Sequence, residues 1–451
     1  MKRILTPALI IFLVAVLGFG IFIRLQYWSQ LPVANGYAAK MMCSYHFIAD
    51  REAAAIQQED LGAPPLSLTK TVIDESAKTA TTSLFGFSPR VAAYREGVGC
   101  ILIDGKDDHG VSLSRPDIAL RRTPDDPPIA AFSEVNGVDY GRLHRAVELA
   151  FDPSRQMDSV MTRAVVVIYK DSMIIESYAK GIDKNTELLG WSMTKSITSA
   201  MIGILIKQGQ LNLDQRSLFD TWTDERSEIT LRHMLQMQSG LAFEEDYATL
   251  SDATKMLFTS EDIAEIPLQS QLEYEPGTHW YYSSGTTNLL SHLIRETIGD
   301  QQAYLEFPYT ELFEKLGMKS AIMETDESGL YVGSSFMYAT ARDWAKFGQL
   351  FLHQGYYDGQ QVLDSSYVDF VRSDNGHSGG LYGGQFWLNV NHAALPDVPE
   401  DLFSCNGFQG QYVYIIPSYD AVVVRLGLAN EPMFDPNLFL SRILASLKPV
   451  D

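Results

Sequence analysis

A hydroxyl and an amine stand three residues apart in the run Gly190 to Gln208, GWSMTKSITSAMIGILIKQ, at Ser192 and Lys195. On a helix, that spacing puts both side chains on one face, about one turn apart. An amine in that position can take the proton of a serine that attacks a carbonyl, and a helix N-terminus favours the developing anion. S-x-x-K also arises by chance in helices, with Ser as a capping residue and Lys in solvent. The chemistry therefore depends on what else the chain supplies.

Two further stretches could supply it. Tyr282 and Ser284 lie in HWYYSSGTTNLLS, just before a helix-like run and after the Glu275-Pro276-Gly277 turn. A packed aromatic and a helix N-cap are their ordinary alternatives. The third stretch, Gly407-Phe408-Gln409-Gly410-Gln411, opens a strand, and a glycine-bracketed strand start is common by itself.

The elements that must carry these residues follow from periodicity. In the Ser192 run, Ile197, Ala200, Met201, Ile204 and Leu205 give the rhythm of a helix with one buried stripe. Gly209 follows as its C-cap, with Lys207 in the last turn. Ala164 to Tyr169 and Met173 to Tyr178 predict a hairpin. Gly410 to Pro417 and Ala421 to Gly427 predict a second near the end, before a helix from about Asn437 to Lys448. The stretches 231–241, 286–299 and 340–355 read as helical. The fold class expected is α+β: an antiparallel sheet joined from distant parts of the chain and flanked by helices, plus a helical subdomain.

The chain has 451 residues, 46% of them hydrophobic, and a net charge of −21. Such a balance disfavours a nucleic-acid partner, because phosphate binding needs a basic surface. No CxxC or HExxH is present and the nine histidines are scattered, so neither a metal nor a cofactor is expected. Lys2 and Arg3 precede an apolar run from Ile4 to Ile23, long enough to cross a bilayer, and Tyr27 and Trp28 follow like interfacial anchors. Residues 1–30 are therefore expected to anchor the chain in the cell membrane, its body facing the periplasm or exterior; secretion after signal cleavage is the alternative.

Residues 31–130 form a small β-rich module, with Thr71 to Ser83 and Arg90 to Asp104 as strands, and a Pro-rich linker, Arg121 to Ala130. Cys43 and Cys100 flank the module. In an oxidising space they are expected to pair; two free buried thiols are the alternative. Residues 131–451 make the larger domain.

Together and in this order, Ser192-Met193-Thr194-Lys195, Tyr282-Ser283-Ser284 and Gly407 to Gln411 resemble the S-x-x-K, Y-x-N and K-T-G elements of the serine β-lactamase and penicillin-binding superfamily. LRHMLQMQSGL resembles that superfamily's LLxMxSGL run. Ser284 stands where lactamases usually carry Asn, and Phe408 where Lys or His is usual. In both respects the chain is similar to 6-aminohexanoate-dimer hydrolases and related esterases. The resemblance implies a β-lactamase/DD-peptidase-like domain and a serine hydrolase that cleaves a small amide or ester. A protein that binds a cell-wall ligand without turnover is the alternative. Ser192 is expected as nucleophile, Lys195 as base, and Tyr282 as a partner in proton transfer. Backbone N–H groups of Ser192 and Gln411 would hold the oxyanion, with Ser284 and Gly410 in support. Phe408, Gln409, Trp387 and Tyr382 are expected as pocket walls.

Overall fold

The computed structural model describes residues 28–103, 134–151, 161–429 and 433–450. The apolar run Ile4 to Ile23 and the Pro-rich linker lie outside them. Among the described residues no helix is long and apolar enough to cross a membrane.

The larger domain is built on a six-stranded antiparallel sheet. Strands β5 (Thr162–Tyr169) and β6 (Ser172–Tyr178) pair with β7 (Trp387–Leu388), β8 (Phe403–Gly407), β9 (Gln411–Ile416) and β10 (Ala421–Gly427) in the order β7-β8-β9-β10-β5-β6. The two hairpins expected at opposite ends of the domain thus meet at the β10–β5 pair. Both faces of β5 are covered: Ala164, Val166 and Ile168 join one apolar cluster, and Val165, Val167 and Tyr169 join another. That is the two-residue period of a strand between two layers. The second layer includes helices Tyr140–Ala150 and Pro436–Leu444.

The first layer holds the helix Thr194–Lys207. From Thr194 to Leu205 every residue is buried, so it is an interior helix and not the one-striped helix its periodicity suggests. Gly209 closes it in the left-handed conformation, at φ 73°.

The N-terminal module holds a small sheet, as its β-rich sequence predicts, together with a helix that was not expected. The sheet is a four-stranded meander, β1 (Thr69–Asp74), β2 (Thr79–Leu84), β3 (Phe87–Arg95) and β4 (Gly99–Ile103), and helix α1 (Leu31–Phe47) packs across it. Helix α1 is buried on several faces, from Asn35 and Gly36 through Tyr45, and so carries little periodicity. Cys43 in α1 and Cys100 in β4 are joined in a disulfide, with Cα atoms 6.1 Å apart, as expected from the sequence; Cys405 is free and buried.

The module is fixed to the larger domain by buried charge. The Lys40 ammonium contacts the Glu324 carboxylate and the Cys100 carbonyl. Glu324 also accepts from the Ser44 hydroxyl at 2.8 Å and the Cys100 N–H at 2.7 Å. Burial pulls Lys40 below the ordinary lysine value and pushes Glu324 up, while their mutual attraction opposes both shifts. A second set joins Arg163 of β5 to Asp60 and Glu59.

Candidate active site

Ser192 sits in a tight turn, Trp191–Met193, immediately before the interior helix. Trp191 has φ 49°, a strained value for a tryptophan that costs roughly 1–3 kcal/mol and must be imposed by its surroundings. Gly190 N–H donates to the Met337 carbonyl at 2.9 Å, and the Thr194 hydroxyl to the Trp191 carbonyl at 2.7 Å. The indole lies between the rings of Tyr37, Phe336 and Phe408. On the other side β8 touches the turn backbone to backbone. A Cβ on Gly407 would stand 2.1 Å from the Gly190 carbonyl oxygen, which no side chain could survive in place.

Lys195, almost wholly buried, points its amine at three oxygens: Ser192 Oγ at 3.1 Å, Ser284 Oγ at 3.0 Å and the Ser334 carbonyl at 2.9 Å. Burial lowers its pKa to about 8, and the negative charge of Glu245 opposes the shift. A neutral amine can donate to Ser284 and Ser334 while its lone pair faces the Ser192 hydroxyl. The Tyr282 ring lies beneath the amine, 4.9 Å from its centroid. Burial pushes the Tyr282 phenol well above its ordinary value, and a hydrogen bond with Ser192 acts against that shift.

The LRHMLQMQSGL run positions Tyr282. Its helix ends at Leu235, and Met237, at φ 57°, turns the chain. The Met237 carbonyl accepts Tyr281 N–H at 3.0 Å and its sulfur accepts Ser283 N–H at 3.4 Å, one on each side of Tyr282. Helix Ser284–Ile298 then starts with Ser283 as N-cap, its hydroxyl accepting Thr286 N–H at 3.1 Å.

Ser284 leads to a residue that the sequence reading did not single out. Glu245 accepts the Ser284 N–H at 2.8 Å and the Ser284 hydroxyl at 2.5 Å, and the Tyr247 hydroxyl at 2.7 Å. A carboxylate at the first N–H of a helix is favoured by the helix dipole. Its only sequence signal is its place in FEEDY, one residue beyond the SGL run.

The other expected residues divide. Phe408 and Gln409 wall a cavity of about 420 Å³ together with Ser192. Trp387 packs on Tyr282, ring centroids 5.4 Å apart, and on Tyr382. Gln411 and Gly410 are not brought to that wall. The Gln411 side chain is spent on the turn, donating to the Phe408 carbonyl at 3.0 Å and accepting Gly427 N–H at 3.0 Å. Gly410 faces Ala429 and Arg425. Arg425 is wholly buried behind the turn and donates to the Gln409 and Gly410 carbonyls at 3.1 and 2.6 Å. Arg342 is paired with Glu176. Among the described residues no cluster of three or more His, Cys, Asp or Glu side chains could hold a metal.

Comparison with known proteins agrees with this fold. The beta-lactamase family profile matches residues 151–441, more than half of the chain. The chain belongs to the beta-lactamase family. It is 24% identical over 310 residues to the 6-aminohexanoate-dimer hydrolase of Paenarthrobacter ureafaciens, a match that covers 62% of this chain and 76% of that one. A Bacillus anthracis structure described as a candidate 6-aminohexanoate-dimer hydrolase superposes with TM-score 0.56 at 23% identity, covering 71% of this chain and 86% of the other. EstCE1, a hydrolase with promiscuous acyltransferase activity, gives TM-score 0.55 at 14% identity, over 68% of this chain and 98% of its own. At such identities the structural likeness speaks for the beta-lactamase fold alone. The chain is thus a hydrolase of that family, with a 6-aminohexanoate-dimer hydrolase among its named sequence relatives.

Proposed function

We propose that this protein is a serine hydrolase that cleaves a small, uncharged amide or ester through an acyl-enzyme on Ser192. The observation that carries the reading is the Lys195 amine, buried and held at 3.1 Å from Ser192 Oγ and 3.0 Å from Ser284 Oγ. Neutral Lys195 takes the Ser192 proton as Oγ bonds to the substrate carbonyl carbon. The tetrahedral oxyanion is held by the backbone N–H of Ser192 and by the turn after β8. There the N–H of Phe408, which shares the cavity wall with Ser192, is a better candidate than that of Gln411. Each such donor is worth about 3 kcal/mol in comparable enzymes. Collapse breaks the bond to the leaving amine or alcohol, which takes a proton from Tyr282 or Lys195. Water, activated by the same groups, then frees the acid and Ser192.

The sequence relative is named for hydrolysis of 6-aminohexanoate dimer and a structural neighbour is named a carboxylesterase, which supports amide and ester as the bonds. The test is labelling by a fluorophosphonate probe and turnover of p-nitrophenyl acetate. Ser192→Ala is expected to lose labelling and to lower kcat by roughly 10⁴-fold or more. Undiminished labelling of that variant refutes the assignment, and labelling of the wild type without turnover of any ester or amide marks a binding protein instead.

We also propose that the run Ile4 to Ile23 anchors the protein in a membrane with its body in an oxidising space. The basic start, the apolar length and the Cys43–Cys100 disulfide support it. Release of the intact chain from native membranes by alkaline carbonate refutes it.

A further inference from the structure

The cavity beside Ser192 is not made by the beta-lactamase domain alone. Its lining includes Val33, Ala34 and Tyr37 of α1 and Leu66 ahead of β1, facing Leu250 and Phe258 of the larger domain. All four N-terminal residues precede residue 151, where the family match begins. Tyr37 is stacked on Trp191, the neighbour of Ser192, with centroids 6.0 Å apart and planes at 18°, and meets the edge of Phe258 at 5.2 Å. Among the described residues no lysine, arginine or histidine lines this cavity, and the one carboxylate in its lining, Asp60, is paired with Arg51 and Arg163. An anion would find no cationic side chain in that lining, whereas an aliphatic chain would find apolar side chains on both sides.

The wall is also held in place. The disulfide, the Lys40–Glu324 pair and the Asp60–Arg163 pair fix α1 and its neighbours. Gly36 lies so close to helix Asp252–Thr259 that a Cβ there would stand 2.4 Å from the Phe258 carbonyl oxygen.

We propose that the N-terminal module completes the active site as the wall of an apolar acyl subsite, which selects substrates by the length of an uncharged aliphatic acyl chain. The inference rests on the serine-hydrolase reading for its chemistry, but it can be tested apart from it. In the full chain, kcat/KM for p-nitrophenyl esters is expected to rise by about fourfold per methylene from acetate upward, until the chain fills the cavity. Ala34→Trp, which fills the space, and Val33→Asp, which charges it, are each expected to lower the octanoate-to-acetate ratio of kcat/KM at least tenfold. Because the readout is a ratio within one protein, partial loss of folded enzyme cancels.

Binding provides the separate arm. Octanamide is expected to bind Ser192→Ala at least tenfold more tightly than butanamide by calorimetry, and Ala34→Trp in that background is expected to erase the difference. Equal binding of the two amides, or an ester ratio unmoved by both wall variants, overturns the inference. A failure of the serine chemistry shows elsewhere, as ester turnover that is absent from the wild type or survives in Ser192→Ala, and leaves the amide result to decide the wall.

Discussion

Glu245 grips Ser284 at two atoms, the backbone N–H at 2.8 Å and the hydroxyl at 2.5 Å. The serine hydroxyl cannot turn away, so its remaining lone pair faces the Lys195 amine at 3.0 Å. A charge in helix-capping position thereby orients the hydroxyl that contacts the Lys195 amine, and its field acts on that amine directly.

Glu245→Gln is expected to keep the shape of this network and remove its charge. The carboxylate favours the ammonium form of Lys195, so its loss lowers a pKa that already lies at about 8. The wild-type kcat/KM is expected to rise with pH along a limb near 8 as Lys195 loses its proton, and in the variant that limb moves to lower pH. Ser284→Ala, which cuts the contact and keeps the charge, is expected to lower kcat without that displacement. A pH–rate profile of Glu245→Gln superimposable on the wild type contradicts the electrostatic role.

By the motif resemblance Phe408 takes the place of a Lys or His, and Arg342 and Arg425 of the same domain are held by Glu176 and by the Gln409 and Gly410 carbonyls. A charge-assisted hydrogen bond to a carboxylate is worth about 1.5–3 kcal/mol. Its absence is expected to favour a neutral nitrophenyl ester over nitrocefin by ~10- to 150-fold in kcat/KM, and Phe408→His is expected to narrow the gap. Equal efficiency of the wild type on both substrates defeats this expectation.

The sequence made the candidate groups legible because their order along the chain survives as a cluster in space: Ser192, Lys195, Tyr282 and Ser284 meet within hydrogen-bonding or ring contact. Glu245 was hidden because an acidic residue in so acidic a chain gives no signal by type, and its partner is 39 residues away. The Gln411 side chain stands away from the cavity because of one hairpin. Gly407 pairs with Gln411 across the turn, so the cavity receives Phe408 and Gln409 while Gln411 closes the turn behind them. Helix α1 escaped because burial on several faces leaves no period to read.

Lys40 and Glu324 are both buried, so neither tolerates the loss of the other. Lys40→Met is expected to destabilise the protein by about 3–5 kcal/mol, because it strands a carboxylate in the interior. The double variant Lys40→Met/Glu324→Leu is expected to recover a large part of that loss. Chemical denaturation of the single and double variants measures both, and a double variant no more stable than the single contradicts the account.

The Cys43–Cys100 bridge spans 57 residues. In the chain-entropy view a closed loop of that size is worth about 4 kcal/mol. Cys43→Ser/Cys100→Ser is expected to lower the thermal midpoint and, because α1 walls the cavity, to depress turnover of octanoate more than of acetate. A variant with an unchanged midpoint removes the bridge from the list of stabilising contacts.

The buried charges at the seam between module and domain set how the protein can be divided. The family match covers residues 151–441, and the buried contacts of the seam reach beyond it to Lys40 and Tyr37. Cut at that boundary, the fragment would present Glu324 without its lysine and Trp191 without Tyr37, an ionised group and a strained indole both opened to water.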